Sequence, residues 1–262
     1  MNKNSSGFTF LFASVMVVLV AVLLSITAIG LGPYQARNAR VEKMQNVLAS
    51  IGVKSNPKDA EYLFRSYLKE QVVLDSKGRP VTGDVEAFDI DLKKEGDKAR
   101  LGQADKQLFP LFVLEKEGQD YYVIPVRGKG LWGPIWGYMA LEGDRNTVYG
   151  ASFDHKSETP GLGAEINTEA FQNQFKGKKI LDETGNFVSV KVVKGGADEA
   201  DVHGVDAISG GTVTSNGVTE MLQRTLASYM PYFKQKDGTA APSPQVKANQ
   251  GKTVDDKHLT LQ

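Results

Sequence analysis

Cysteine is absent from the 262 residues. Without thiolates the chain by itself ligates no iron–sulfur cluster, attaches no c-type haem, closes no disulfide and carries no lipobox lipid. Histidine is scarce: His155, His203 and His258 are the only three, and no two stand at metal-ligand spacing, so no metal site is expected. An excess of either charge is missing too. The 31 basic and 31 acidic residues cancel, whereas a phosphate-contacting surface shows as a basic excess, so no nucleic acid is expected as a partner. Any redox role has to come from an organic cofactor.

Charge vanishes altogether between Asn4 and Ala36, where "FTFLFASVMVVLVAVLLSITAIGLG" is apolar over more than the roughly 20 residues that a helix needs to cross a bilayer. This predicts a single transmembrane helix over 8–31. A cleaved secretory signal has an apolar region of only about 7–15 residues, so the longer run predicts a retained anchor. Lys3 precedes the span while Arg37, Arg40 and Lys43 follow it, and the positive-inside count leaves the side of the membrane open.

Beyond the anchor, residues 32–105 read as a helical connector and the N-terminal part of the soluble domain. Val41, Met44, Leu48 and Ile51 form a helical stripe, and "NPKDAEYLFRSYLKEQ" restarts a helix at Asn56 and Pro57. From 106 to 233 the period changes. "LFVLEKEGQDYYVIPV" and "IWGYMALEGDRNTVYGASF" alternate, are rich in β-branched and aromatic residues, and break at Glu117-Gly118 and Gly143-Asp144, which predicts an antiparallel sheet. "NTEAFQNQF" (167–175) reads as a short capped helix and "FVSVKVV" (187–193) as a further strand. A helix carrying Val218, Met221, Leu222, Leu226, Tyr229 and Met230 on one face is expected to stop at Pro231. Residues 234–262 are polar and read as a disordered tail. The fold class is α+β: a mostly antiparallel sheet with flanking helices behind one anchor.

Three motif matches fail on context. "GKGLWG" (128–133) has G-x-G-x-x-G spacing, but Pro134 and Gly137 deny it the following helix that a dinucleotide needs. "VKANQGKT" (246–253) ends like a phosphate loop but has Val246 at the first glycine position and no strand before it. "AISGGT" (207–212) differs from the serine-protease "DSGGP" at Ile208 and Thr212, and no histidine stands in a triad-like context.

The stretch "DAISGGTVTSNGV" (206–218) packs Ser209, Gly210, Gly211, Thr212, Thr214 and Ser215 just before a helix. Free amides at a helix start attract anions, glycines let a ligand approach the backbone, and Ser215 or Asn216 suits the cap position. The loop suits a phosphate; a Gly-rich loop with a serine cap and no ligand is the plainer reading.

"DAISGGT" resembles the flavinylation motif D-x-x-(S/T)-G-A-T, whose last threonine is esterified by the phosphate of FMN through a flavin transferase that uses FAD. Together with "GKGLWGPIWGYMA", "HKSETPGLGAEI", "VKVVKGG" and the N-terminal anchor, it is similar to the family of C subunits of sodium-translocating NADH:quinone oxidoreductases, from residue 8 to about 233. The motif departs at Gly211, where the family usually has alanine; the position stays small, and modification is expected to survive. The homologous G subunit of ion-translocating ferredoxin:NAD oxidoreductases is the alternative within the class, and a membrane-tethered binding or structural protein without flavin is the alternative outside it.

The resemblance implies FMN esterified to Thr212 and an electron-carrying subunit that is not catalytic alone. Its partners would be the other subunits of the membrane complex, the flavin transferase and the membrane. It further implies a cofactor shell of Ser209, Gly210, Gly211, Thr214, Ser215, Glu158, Thr159, Gly161, Leu162, Gly163, Lys194 and Trp132, with Asp206 recognised by the transferase. Leu162 would lie against the isoalloxazine, Gly161 to Gly163 would allow close approach, and Lys194 would stabilise negative charge near the ring. Trp136, on a strand, is assigned to the core. The resemblance places the chain in a bacterial inner membrane with the soluble domain on the periplasmic side.

Overall fold

The computed structural model describes residues 6–83 and 85–238. Helix α1 (Ser6–Ser50) runs unbroken through both the apolar span and the amphipathic stripe beyond it, with Pro33 inside. No part of its most apolar window is buried against the chain. Phe10, Leu11, Val17, Leu24 and Ile29 are exposed, and lipid is the solvent that such a helix fits. Its other end docks on the globular body through Met44, Val47 and Leu48.

The body is built on five antiparallel strands in the order β1–β2–β3–β4–β5: β1 (Leu68–Leu74), β2 (Phe109–Lys116), β3 (Gln119–Lys129), β4 (Pro134–Leu141) and β5 (Val148–His155). Glu117 and Gly118 make the β2–β3 turn with both φ positive, at 55° and 76°, the conformation that lets a two-residue loop match the strand twist. Helices cover both faces, so the middle of β3 is buried on each side. One face packs Ile124, Val126, Ile135 and Met139 against Val218, Met221, Leu222 and Leu226 of α5 (Thr212–Ala227). The other packs Phe112, Leu114, Val123 and Tyr138 against α1, α2 (Ala60–Tyr67), Phe88 and Ile90. Phe64, Phe88 and Phe112 meet edge to face with centroids 5.6–6.1 Å apart. Strand parity puts Trp136 on the α1 side of β4 with Tyr138, facing away from α5. The chain is completed by α3 (Leu92–Arg100), α4 (Glu169–Asn173), a parallel pair β6 (Lys191–Val193) and β7 (Gly204–Asp206), and α6 (Met230–Gly238).

Four expectations are corrected. The helix predicted through Gln71 ends at Tyr67, because Val72, Val73 and Leu74 pair with β2 and make the connector supply an edge strand. The last long helix ends at Ala227 rather than at Pro231. Pro231 falls in the first turn of α6, where its missing N–H costs no helix bond, and residues 234–238, expected in the tail, continue α6. The strand expected over 187–193 narrows to Lys191–Val193, since Ser189 takes a positive φ of 64°. The remainder of the predicted tail, 239–262, lies outside the described residues.

Candidate cofactor site

The loop before α5 turns at Gly210, whose φ of 71° suits glycine, and closes with Gly211 N donating to Ile208 O at 3.0 Å. Gly211 is the N-cap and Thr212 the first helical residue. Ser215 N donates to Gly211 O at 2.9 Å, so the amides of Thr212, Val213 and Thr214 precede the first helical bond and form the positive end of the dipole. The helix starts about four residues earlier than the expected opening near Asn216, because the glycine turn presents Gly211 O where a cap carbonyl is needed.

The hydroxyl groups of this stretch divide sharply. Thr212 and Ser209 are exposed, while Thr214 and Ser215 are each 1 % exposed. Ser215 Oγ accepts from Ile208 N at 3.2 Å, so it holds the loop instead of capping the helix. Thr214 Oγ1 donates to Glu158 Oε2 at 2.6 Å.

Glu158 sits in the "ETPGLG" loop after β5 and is itself buried. Oε1 accepts from Trp132 N at 2.8 Å, and the neighbouring Leu131 and Gly133 amides also favour the charged carboxylate. Burial opposes its ionisation, but the Thr214 hydroxyl and these amides outweigh it and hold the carboxyl below the usual glutamate value. Each of its oxygens thus already holds a donor from the protein itself.

The other predicted residues separate into those gathered at Thr212 and those set apart. Leu162 lies over Gly210, where an added Cβ would be 2.6 Å from Leu162 Cδ2. At Gly163 a Cβ would meet Thr214 Oγ1 at 2.5 Å, so α5 packs close there. At Gly161 a Cβ would meet nothing, and its φ of 74° is what requires glycine. Thr159 is exposed and its carbonyl accepts from Leu162 N and Ala164 N. Trp132 is 66 % exposed on the turn held by Glu158. Lys194 is exposed just past β6. Asp206, also exposed, accepts from Ala197 N through Oδ1 at 2.8 Å and so ties down the Lys194–Ala197 turn. At Gly211 a Cβ would stand 2.9 Å from Ile208 Cγ2, so glycine there relieves contact with the isoleucine this chain carries. Sequence reading missed Leu131 and Val213, which with Trp132 and Leu162 expose apolar side chains in the segments that converge on Thr212. Exposed leucine and valine carry no signal in a sequence where most such residues are core.

A family model described as "FMN-binding domain" matches residues 130–227, the segment from the β3–β4 turn through α5. The C subunit of the Na(+)-translocating NADH-quinone reductase of Vibrio vulnificus is 34% identical over 209 residues, covering 76% of this chain and 82% of the relative. That of Pseudomonas aeruginosa is 30% identical over 240 residues, covering 84% and 91%. This chain belongs to the C-subunit family of these reductases. The crystal structure of the Parabacteroides distasonis member superposes with a TM-score of 0.69 at 42% identity, covering 76% of this chain and 95% of that one. The NqrC structure from Shewanella oneidensis gives 0.65 at 27% identity, covering 76% and 98%. All three converging loops, at Leu131, Glu158 and Thr212, thus lie within the segment that matches the FMN-binding domain of this family.

Proposed function

We propose that this chain is the FMN-carrying, electron-transferring subunit of a sodium-translocating NADH:quinone oxidoreductase, with FMN held covalently by a phosphoester to Thr212. The observation that carries this reading is an exposed threonine hydroxyl on the first residue of α5, beside amides with no helical acceptor, in a domain that matches the FMN-binding family. The residues fit the group. The diester keeps one negative charge, which the start of α5 stabilises by about 0.3–1 kcal/mol, more where partly buried. Leu131, Trp132, Leu162 and Val213 offer exposed apolar surface for a planar ring. Bound FMN supplies reversible electron uptake and release.

The protein's part is to hold and orient. Covalent attachment removes the recurring cost of capturing the cofactor, so the seat can stay open to redox neighbours. Ser209, Gly210 and Gly211 shape the phosphate loop, Thr159 and Gly161 set the "ETPGLG" turn, and Lys194 offers a cation near the ring. Asp206, with one oxygen on Ala197 N, presents its exposed carboxylate to the transferase. Attachment forms the Thr212 Oγ–phosphorus bond as the pyrophosphate of FAD breaks and AMP leaves. The soluble domain is assigned to the periplasmic side of the inner membrane, in contact with the other members of the complex; protease added to spheroplasts should cut it.

Co-expression with the flavin transferase tests the assignment. Intact mass should rise by one esterified FMN, fragmentation should place the gain on Thr212, and Thr212→Ala should lose it while Thr212→Ser keeps an acceptor. No gain in the natural sequence, or a gain mapped to Ser209, sinks the reading.

A further inference from the structure

Two glycine-bearing motifs here share an explanation other than cofactor approach. In "GKGLWG" an added Cβ at Gly130 would stand 2.6 Å from Glu158 Oε1. In "ETPGLG" one at Gly163 would stand 2.4 Å from Glu158 Oε2. The two glycines are therefore opposite walls of a socket, and its content is the carboxylate of Glu158. Each carboxylate oxygen holds a donor: Thr214 Oγ1 from α5 on Oε2, and the Trp132 amide from the β3–β4 turn on Oε1. The turn is closed on itself by Gly130 N donating to Gly133 O at 2.8 Å. Glu158 N in turn donates to His155 Nδ1 at 3.1 Å, which fixes the base of the third loop to the end of β5.

We infer that Glu158 is a positioning residue: its buried, ionised carboxylate latches the Leu131–Gly133 turn to the first turn of α5, so that the seat around the Thr212 hydroxyl is assembled before any cofactor arrives. Three loops from distant parts of the chain meet at this one group, and no other ionised side chain joins them among the described residues. A hydrogen bond to a charged acceptor is worth more than one between neutral groups, and two converge here from different loops. The latch also answers a question of selection. It occupies the hydroxyl of Thr214, two residues from Thr212, and turns it inward, away from any incoming phosphoryl group. The role of the seat rests on the proposed attachment at Thr212; the latch itself does not.

Hydrogen exchange on the full-length, unmodified chain in detergent separates the two. In Glu158→Gln and Thr214→Val the amides of residues 131–133 should exchange roughly tenfold faster or more, the ratio for losing one hydrogen bond to a charged group. Peptides from β2 should be unchanged, and Thr214→Ser, which restores the donor, should restore protection. With the transferase supplied, the rate of FMN addition should fall in the first two variants and recover in Thr214→Ser. Unchanged exchange at 131–133 in Thr214→Val overturns the latch, and so does uniform loosening of the whole domain. Local loosening with an undiminished rate of modification overturns its role at the seat. An unmodified natural chain refutes the Thr212 assignment alone and leaves the exchange result standing.

Discussion

Thr214 and Ser215 carry the same hydroxyl chemistry as Thr212 and stand within three residues of it, yet one is spent on Glu158 and the other on Ile208 N. At the scale of the residue, then, burial and hydrogen bonding select among equivalent groups. Glu158 is the pivot of that selection, and its charge has a consequence for stability. Its folded carboxyl lies below the ordinary value of 4.5. A depressed value means that its contribution is complete above the unfolded value and is lost as pH falls through the folded one. The latch variant Glu158→Gln should therefore show a thermal midpoint below that of the natural chain at neutral pH, with the gap closing as the pH is taken below about 4.5. A gap that stays constant from pH 7 to pH 3 contradicts the ionised assignment.

At the scale of the element, α5 reaches the site because it lies unusually close to β3. A Cβ added at Gly217 would come within 2.3 Å of the Lys129 carbonyl oxygen, and one at Gly128 within 2.7 Å of Met221 Cβ. Glycine inside a helix normally costs about 1 kcal/mol against alanine. Here the backbone contact reverses the sign, since overpacking costs typically about 1–3 kcal/mol. Gly217→Ala should lower unfolding stability by up to about 2 kcal/mol after the propensity gain is subtracted, measured by denaturant titration. A stabilised variant refutes the close approach. Much of this element was legible beforehand: its apolar stripe at Val218, Met221, Leu222 and Leu226 has helical spacing, and all four are buried. Its ends were not. Gly211 as cap and Ala227 as terminus depend on a turn at Gly210 and on Tyr229 reaching Pro110 O at 2.7 Å, a contact across 119 residues that no local window contains.

At the scale of the whole molecule, a helix long and apolar enough to cross a membrane continues into the domain that follows it. Met44, Val47, Leu48 and Ile51 are 0–4 % exposed against the sheet, and burying large aliphatic side chains yields about 1.5–3 kcal/mol each, together comparable to the roughly 5–15 kcal/mol that holds a typical domain folded. A chain begun at residue 37 should give a folded, soluble protein. One begun at residue 53 should aggregate, because Phe112, Leu114 and Val123 lose their cover. Size-exclusion chromatography and circular dichroism of the two distinguish them, and a folded, monomeric shorter form contradicts the docked-helix account. The same continuity ties the domain to its anchor without a flexible linker.

What the sequence determined alone is whatever repeats or clusters along the chain: an uncharged run long enough for a bilayer, alternation that predicts an antiparallel sheet, and a hydroxyl- and glycine-rich loop ahead of a helical stripe. Its motifs also carried the resemblance that membership of the C-subunit family bears out. Only the tertiary structure decided that β1 joins the sheet from the connector and that Thr212 opens α5. It also decided that the glycines at 130 and 163 wall a carboxylate. That carboxylate meets its partners because groups 26 and 56 residues away along the chain are pressed within hydrogen-bond reach of it, and contact of that range is fixed by packing, which no local pattern encodes.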